Sequence, residues 1–467
     1  MWRAFLSPLV AAVALTSCSH TTTLTMPTTP LPADRLATLN AELASVVSEP
    51  QRALASLSVL AVKRGQVVYQ NQFGSRRIDN ENAANNLPAN ADTLYRIASI
   101  SKLVTTIGVM RLVEAGQLSL DTDVGQYLGW SLRNPHFPDT PITLRQMLTH
   151  TSSLRDDAGY YWEYSTPIRD ILVPGSALYE KGKGTMWAKN APPGAYFQYA
   201  NLPWGVIGTV MERATGERFD RLMQRLVFTP LALHGGFHPA DFSPRDLADT
   251  ATLYRKRTEI NGQEIWDPSP ANGPWTAQVD DYRTAGPVPR AKADYVIGSN
   301  GTAFGPQGAC RLSALGLAKL MRMLMGEGEV DGERLLKPES VAQMFAAEWR
   351  YNVARPNGGT SESGEEQQLF NQWGLGTQHF LDVSGPARGD RLVEGGGFKG
   401  VGHLGDAWGL TSAFVFDPKT KDGVIFLIGG VAADPEGSRG SYSAFYRYEE
   451  RILTALIRQA LGISASR

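Results

Sequence analysis

Cysteine is nearly absent: Cys18 and Cys310 are the only two in 467 residues. A disulfide framework is therefore excluded, and Cys310 reads as a small buried apolar residue rather than a nucleophile. An excess of either charge is also missing. Lys plus Arg total 45 and Asp plus Glu 46, for a net charge of −1, with no basic run or stripe. Nucleic acid is a poor partner for such a chain. There is no internal repeat. The G-x-S-x-G elbow of α/β-hydrolases is wanting too, since Ser438 has Glu436 where glycine is required. What remains is ordinary globular composition, 42% hydrophobic and 19% charged. The length suits two or three domains, or one large domain with an insertion.

Residues 1–17 read as a signal peptide, with Arg3 ahead of an apolar core from Leu9 to Leu15. That core is shorter than the ~20 apolar residues of a permanent spanning helix. It ends in Leu15-Thr16-Ser17-Cys18, which resembles a bacterial lipobox, in which the cysteine is lipidated and becomes the first residue. Residues 18–34 form a Thr- and Pro-rich tether. Ser19 stands where an Asp often signals inner-membrane retention in such lipoproteins. The expectation is an exported lipoprotein, held at the membrane by its lipid alone, on the outer membrane where the cell has one.

The rest, residues 35–467, reads as one folded unit. Leu36, Leu39, Leu43 and Val46-Val47 share a face of a helix over Ala33–Val47. Ser56–Lys63 and Val67–Phe73 are β-rich and split by Arg64-Gly65-Gln66, a hairpin pattern. Near the other end, Thr411–Phe416 and Gly423–Ile428 flank a turn at Asp417–Asp422, and Tyr448–Leu461 is helical again. The fold class is therefore α/β (α+β): an antiparallel sheet built from both termini, flanked by helices, with a mainly helical lobe inserted at about residues 120–300. Two lobes imply a cleft between them. Segments 155–193 and 237–308 are long and irregular, the pattern of lids, binding loops or disorder.

The strongest local signal is Ser99-Ile100-Ser101-Lys102, followed by an apolar stripe of Leu103, Val104, Ile107, Met110 and Val113 with Gly116 just beyond. Three residues apart on a helix is one face, so Lys102 can lie beside the Ser99 hydroxyl. A serine hydroxyl is a weak nucleophile until a neighbouring base takes its proton. A lysine does so only where burial and nearby positive charge favour its neutral form. A helix N-terminus adds that potential and aims the Ser99 N–H at the attacked carbonyl oxygen. As a bare string the pattern arises often by chance. Tyr199-Ala200-Asn201 supplies a phenol able to shuttle a proton and an amide able to orient the lysine or a substrate. Gly402-His403-Leu404-Gly405 precedes a strand; a cation or donor there could hold a substrate carboxylate, and Gly405 would let substrate backbone approach.

In that order the three elements resemble the serine β-lactamase and penicillin-binding-protein superfamily. The nearest branch holds class C β-lactamases, D-alanyl-D-alanine carboxypeptidases, D-aminopeptidases and esterases. Tyr95–Ser99, Leu118–Asp121, Val124–Leu128, Thr143–Ser152, Thr229–Leu231 and the run from Pro306 to Leu324 are similar to family segments. The likeness spans Leu57 to Leu461, nearly the whole folded part. It implies a β-lactamase-like fold. It implies that Ser99 forms the acyl-enzyme, that Lys102 relays the proton, and that Tyr199 is the acid/base. Asn201 would orient Lys102 and substrate; His403 and Gly405 stand for the first and third residues of a Lys-Thr-Gly triad; the N–H groups of Ser99 and Asp406 would form the oxyanion hole. No cofactor and no metal are implied. The substrate would be a small ester, a peptide-like amide or a cell-wall fragment.

Three departures qualify this. His403 replaces the lysine usual in dedicated β-lactamases, which places esters and D-amino-acid amides ahead of β-lactams. Leu404 replaces a hydroxyl residue, and Ser153 stands where relatives often carry glycine. His150 reads as a structural brace. The alternatives are a β-lactamase, or a penicillin-binding sensor lipoprotein without turnover. Gly395–Gly400 matches a dinucleotide fingerprint formally, but a strand rather than a helix follows, so it reads as a bend. His234 and His238 flank two glycines with no Glu between, a poor zinc pattern. Trp162, Trp266 and Trp275 read as core, with the cleft wall as the other option. Oligomeric state is not legible.

Overall fold

The computed structural model describes residues 31–260, 263–266, 274–359, 369–386 and 388–465; the side chains of 258–266 are left undescribed. The segments read from the sequence as a signal peptide and tether, with Cys18, lie outside the described residues up to residue 30.

Chain order starts with helix α1 (Ala33–Val47), hairpin strands β1 (Ser56–Lys63) and β2 (Gln66–Arg77), and the short β3 (Leu87–Pro88). Helices α2 (Ile100–Glu114), α3 (Leu202–Thr215) and α4 (Ala314–Met325) follow. Then come β4 (Trp349–Arg350), β5 (Gln372–Trp373), β6 (Gln378–Phe380), β7 (Gly400–Ala407), β8 (Leu410–Asp417), β9 (Asp422–Ile428) and helix α5 (Arg447–Ala455). The nine strands make one antiparallel sheet in the order β4-β5-β6-β7-β8-β9-β1-β2-β3. Its centre joins the two ends of the chain, with Leu57 opposite Ile428 and Val62 opposite Gly423.

Both faces of β1 are buried. Leu57, Val59 and Ala61 face the core that α1 and α5 cover, while Leu60 and Val62 face the core around α2 and α4. Arg64 and Gly65 both adopt positive φ, 52° and 78°, the primed-turn geometry that matches strand twist. Helix α1 buries Leu39, Leu43, Val46 and Val47, but Leu36 is exposed.

Helix α2 is buried around its whole circumference from Ile100 to Met110, so the expected stripe is in fact a full cylinder. Each such Leu, Ile or Val contributes about 1.5–3 kcal/mol. Its polar residues are satisfied internally. The Cys310 N–H donates to Ser101 Oγ at 3.1 Å, and Thr105 Oγ1 donates to the Pro306 carbonyl at 2.9 Å. The 306–310 segment is thereby fastened alongside the helix start.

The inserted region holds α3 and short helices at Leu144–Leu148, Ile168–Leu172, Ala177–Lys181, Phe219–Met223 and Pro244–Asp249. It is not purely helical. Leu253–Arg255 pairs with Thr276–Val279 and, in parallel, with Gly430–Val431 just past β9. Arg257–Ile260 and Gln263–Trp266 form a further hairpin. Part of the irregular segment is thus recruited by the end of the main sheet, a long-range pairing that local pattern does not carry. Among the described residues no helix is long and apolar enough to cross a membrane.

Candidate active site

Ser99 sits at the N-cap of α2, preceded by Ala98 at φ 43°, a left-handed conformation costly for a residue with a Cβ. One turn on, the fully buried Lys102 points back along the same face. Its amine lies 2.9 Å from Ser99 Oγ, 2.7 Å from Asn201 Oδ1 and 3.3 Å from the Gln307 carbonyl. It also rests 4.7 Å from the centroid of the Tyr199 ring. Tyr199 is clamped between His150, stacked at 4.4 Å, and Phe370, stacked at 5.1 Å. A hydroxyl, an amine and a phenol from two distant stretches therefore meet where α2 and α3 begin.

Asn201 precedes α3. Its amide oxygen faces Lys102 and its amide nitrogen donates to Asp156 Oδ2 at 2.9 Å. The Asp156 carboxylate also accepts the N–H groups of Asn201, at 2.7 Å, and Leu202, at 2.8 Å, so it caps α3 from outside. Burial pushes the Asp156 carboxyl above its usual range despite those donors. Asp156 and the Gln307 carbonyl are site groups that the sequence reading missed. Both arrive by tertiary contact, and neither carries a local signal.

His403 on β7 is buried, and burial with the nearby Lys102 lowers it to about 3. Its Nδ1 lies 2.6 Å from the Leu404 carbonyl, which can only accept. The proton therefore sits on Nδ1, and Nε2 presents a lone pair that has no hydrogen-bond partner among the described residues. This corrects the expectation of a cation or donor for a substrate carboxylate: His403 is a neutral acceptor. His150 has the opposite tautomer, because its Nδ1 accepts the Ala200 N–H at 3.1 Å. It braces the Tyr199-Ala200-Asn201 turn, as a structural residue should.

Gly405 also acts differently from expectation. A Cβ there would lie 2.4 Å from Ser412 Oγ and 2.6 Å from the Ile97 carbonyl. The missing side chain lets β7 lie directly against Ile97-Ala98, not merely against a substrate. Asp406 is thereby carried beside Ser99: Ser99, Tyr199 and Asp406 line both a cavity of about 480 Å³ and a neighbouring one of about 300 Å³. The first runs along β7, which among the described residues pairs with β6 only from Gly400 to Gly402.

The remaining readings resolve as follows. Ser153 adopts φ 65°, the region that favours glycine. Gly395, Gly396 and Gly397 have φ of 74°, 70° and 101°, a bend leading into β7. His234 and His238 part company: His234 pairs with Asp246, whereas His238 meets Asp220 and Asp241. Arg218 bridges those same two carboxylates, so their charge is already compensated. Cys310 is buried, and burial pushes its thiol up. Trp162 packs against the main core and Trp275 against Tyr254; the side chain of Trp266 lies outside the described residues.

Similar proteins share this frame. Esterase EstB of Burkholderia gladioli is 30% identical over 44% of this chain and 53% of its own length. Penicillin-binding protein 4 of Amycolatopsis lactamdurans is 26% identical over 54% of this chain and 56% of its own. The chain thus spans about half the length of these curated relatives. Lovastatin esterase of Penicillium rubens aligns further, 27% identical over 77% of this chain and 84% of its own. Among solved structures, D-alanine carboxypeptidase AmpC from Burkholderia cenocepacia superposes with a TM-score of 0.58 at 18% identity, covering 92% of this chain and 99% of that one. At that identity the likeness speaks for the fold. The family model described as Beta-lactamase matches residues 33–445, and the chain belongs to that family.

Proposed function

We propose that the chain is a serine hydrolase that forms an acyl-enzyme on Ser99 and acts on esters or D-amino-acid peptide-like amides. The single observation behind this is the buried Lys102 amine 2.9 Å from Ser99 Oγ, with the Tyr199 ring against it. Ser99 Oγ attacks the carbonyl carbon while its proton passes to the Lys102–Tyr199 pair. The N–H groups of Ser99 and Asp406 hold the oxyanion. Tyr199 returns the proton to the leaving alkoxide or amine. Water then attacks the acyl-enzyme by the reverse relay and frees Ser99.

His403 supports the ester or amide reading over the β-lactam one, because a neutral acceptor offers nothing to a β-lactam carboxylate. The test is labelling with a fluorophosphonate and a fluorescent penicillin, followed by a panel of p-nitrophenyl esters, D-amino-acid amides and nitrocefin. Wild type should label and turn over esters or D-amides; Ser99→Ala should do neither. Equal hydrolysis by Ser99→Ala would end the assignment. Persistent acylation without turnover would favour a sensor.

From residues 1–34 we further propose export and a lipid anchor at Cys18. Labelled palmitate should enter wild type and not Cys18→Ser.

A further inference from the structure

The hairpin turn from β7 to β8 holds Trp408 and Gly409 at φ 50° and 87°. Turns of that kind favour asparagine, aspartate or glycine, and a bulky side chain at positive φ is strained. Trp408 nevertheless stands there, two residues past Asp406, with 44% of its surface exposed. Among the described tryptophans it alone is exposed. The Arg96 guanidinium lies 4.6 Å from the indole centroid, and Arg96 Nε donates to the Gly308 carbonyl at 3.0 Å. One face of the indole is thereby fixed and the other is left open. Trp408 lines the cavity of about 300 Å³ that also holds Ser99. A second exposed ring, Tyr160 of the inserted lobe, lines it too. Two large rings left in water inside a cleft that leads to a nucleophile mark a place where a ligand stacks.

A second observation is independent of the rings. Gln307 lines the same cavity, is 7% exposed, and its side-chain Oε1 has no hydrogen-bond partner among the described residues. Its backbone carbonyl, by contrast, is engaged by Lys102. Charged groups of the same wall are engaged as well. Arg96 holds the Gly308 carbonyl, Asp156 takes the Asn201 and Leu202 N–H groups, and Asp157 pairs with Arg155 at 2.9 Å. A buried amide without a partner costs stability until a ligand supplies one. A phenol hydroxyl both donates and accepts, so it suits either end of that amide.

We propose that the cavity bounded by Trp408, Tyr160 and Gln307 is an aryl subsite, in which a substrate ring stacks on the open indole face and a hydroxyl on that ring pairs with Gln307. The proposal rests on Ser99 being the acyl acceptor. It narrows the esters and amides taken to those carrying a phenol-type ring close to the scissile carbonyl.

The test uses fluorophosphonates that are identical except for a terminal 4-hydroxyphenyl, phenyl or cyclohexyl group, each on linkers of increasing length. A plain alkyl fluorophosphonate reports Ser99 itself, and the second-order labelling rate is read for every probe. At the best length phenyl should outpace cyclohexyl by about three- to tenfold, the usual worth of ring stacking. The 4-hydroxyphenyl probe should outpace phenyl by about the same factor, the worth of one hydrogen bond. Trp408→Leu, which stays apolar, should bring the phenyl-to-cyclohexyl ratio close to one. Gln307→Met, which keeps the side chain's length, should abolish the hydroxyl preference while the ring preference persists. A wild-type ratio at or below one at every length, for either pair of probes, overturns the subsite, as does a preference that survives its own substitution. Labelling by the alkyl probe alone overturns the subsite and leaves the hydrolase standing. A protein that no probe labels, the alkyl one included, overturns the acyl-acceptor reading and the subsite with it.

Discussion

Asp156 holds Asn201 at two atoms: its carboxylate takes the Asn201 backbone N–H at 2.7 Å and the Asn201 amide N–H at 2.9 Å, and one residue on it takes the Leu202 N–H as well. The amide that receives the Lys102 amine is thus aimed by Asp156. Asp156→Ala should cost about 1–3 kcal/mol of stability by stranding those donors. It should also lower kcat through misaimed Lys102, with Asp156→Asn milder on both counts. Denaturant unfolding and steady-state kinetics check this. A kcat unchanged in a folded Asp156→Ala protein would leave Asp156 as a helix cap alone.

Lys102→Met keeps the buried stem and removes the amine. Fluorophosphonate labelling of Ser99 should slow by about 10²–10⁴-fold, the usual worth of a positioned base. A labelling rate within a factor of two of wild type would remove Lys102 from the relay.

Gly405→Ala places a methyl 2.6 Å from the Ile97 carbonyl and 2.4 Å from Ser412 Oγ. Strand β7 must shift away from Ala98, taking the Asp406 N–H with it. Activity should drop at least tenfold, consistent with losing much of one oxyanion donor. Adding Ser412→Ala should not restore it, since the carbonyl contact remains. Full rescue by that double substitution would show that the hydroxyl clash alone mattered.

His403→Lys exchanges a neutral acceptor for a donor with positive charge. The ratio of nitrocefin to ester turnover should rise. An unchanged ratio would remove the argument that this position steers the site away from β-lactams.

Stability should peak near neutrality. His403 at about 3, His379 at about 4 and His150, which burial holds well below its ordinary range, stay neutral when folded, but take up protons near 6.5 when unfolded. The unfolded chain then binds more protons, so stability falls as pH drops below 6.5, by up to about 1.4 kcal/mol per pH unit for each histidine. Glu212 at about 7 and Glu449 at about 8 act in the opposite sense, because the folded chain keeps protons that an unfolded carboxyl loses near 4.5. They oppose the histidines between 4.5 and 6.5 and act alone above it, where stability should fall as pH rises towards 8. A Tm that climbs steadily from neutral pH to pH 8 would contradict these assignments.

Local chemistry carried much of this into the sequence. Gly65 announces a tight hairpin because glycine accepts positive φ freely, and the turn then draws Arg64 to φ 52° as well. Ser99 and Lys102 share a face because helical spacing requires it. What stayed illegible depends on distant partners. Nothing near Asp156 marks it as a carboxylate that caps another segment's helix. The proton on His403 is decided by a carbonyl at 2.6 Å, which a string of letters does not display. The strands at Leu253–Arg255 and Thr276–Val279 exist because Gly430–Val431 offers them an edge.

Because β1 bonds to β9, and β7 must slot beside Ala98, the ribosome has to deliver nearly all of the chain before any cleft exists. A nascent fragment ending ahead of residue 400 has its serine and lysine on one helix but no wall to close around them. Such a fragment is chemically idle and leaves the flank of β1 without its partner strand, prone to pair with other chains. Synthesis itself thereby keeps the nucleophile harmless until the last strands are in place.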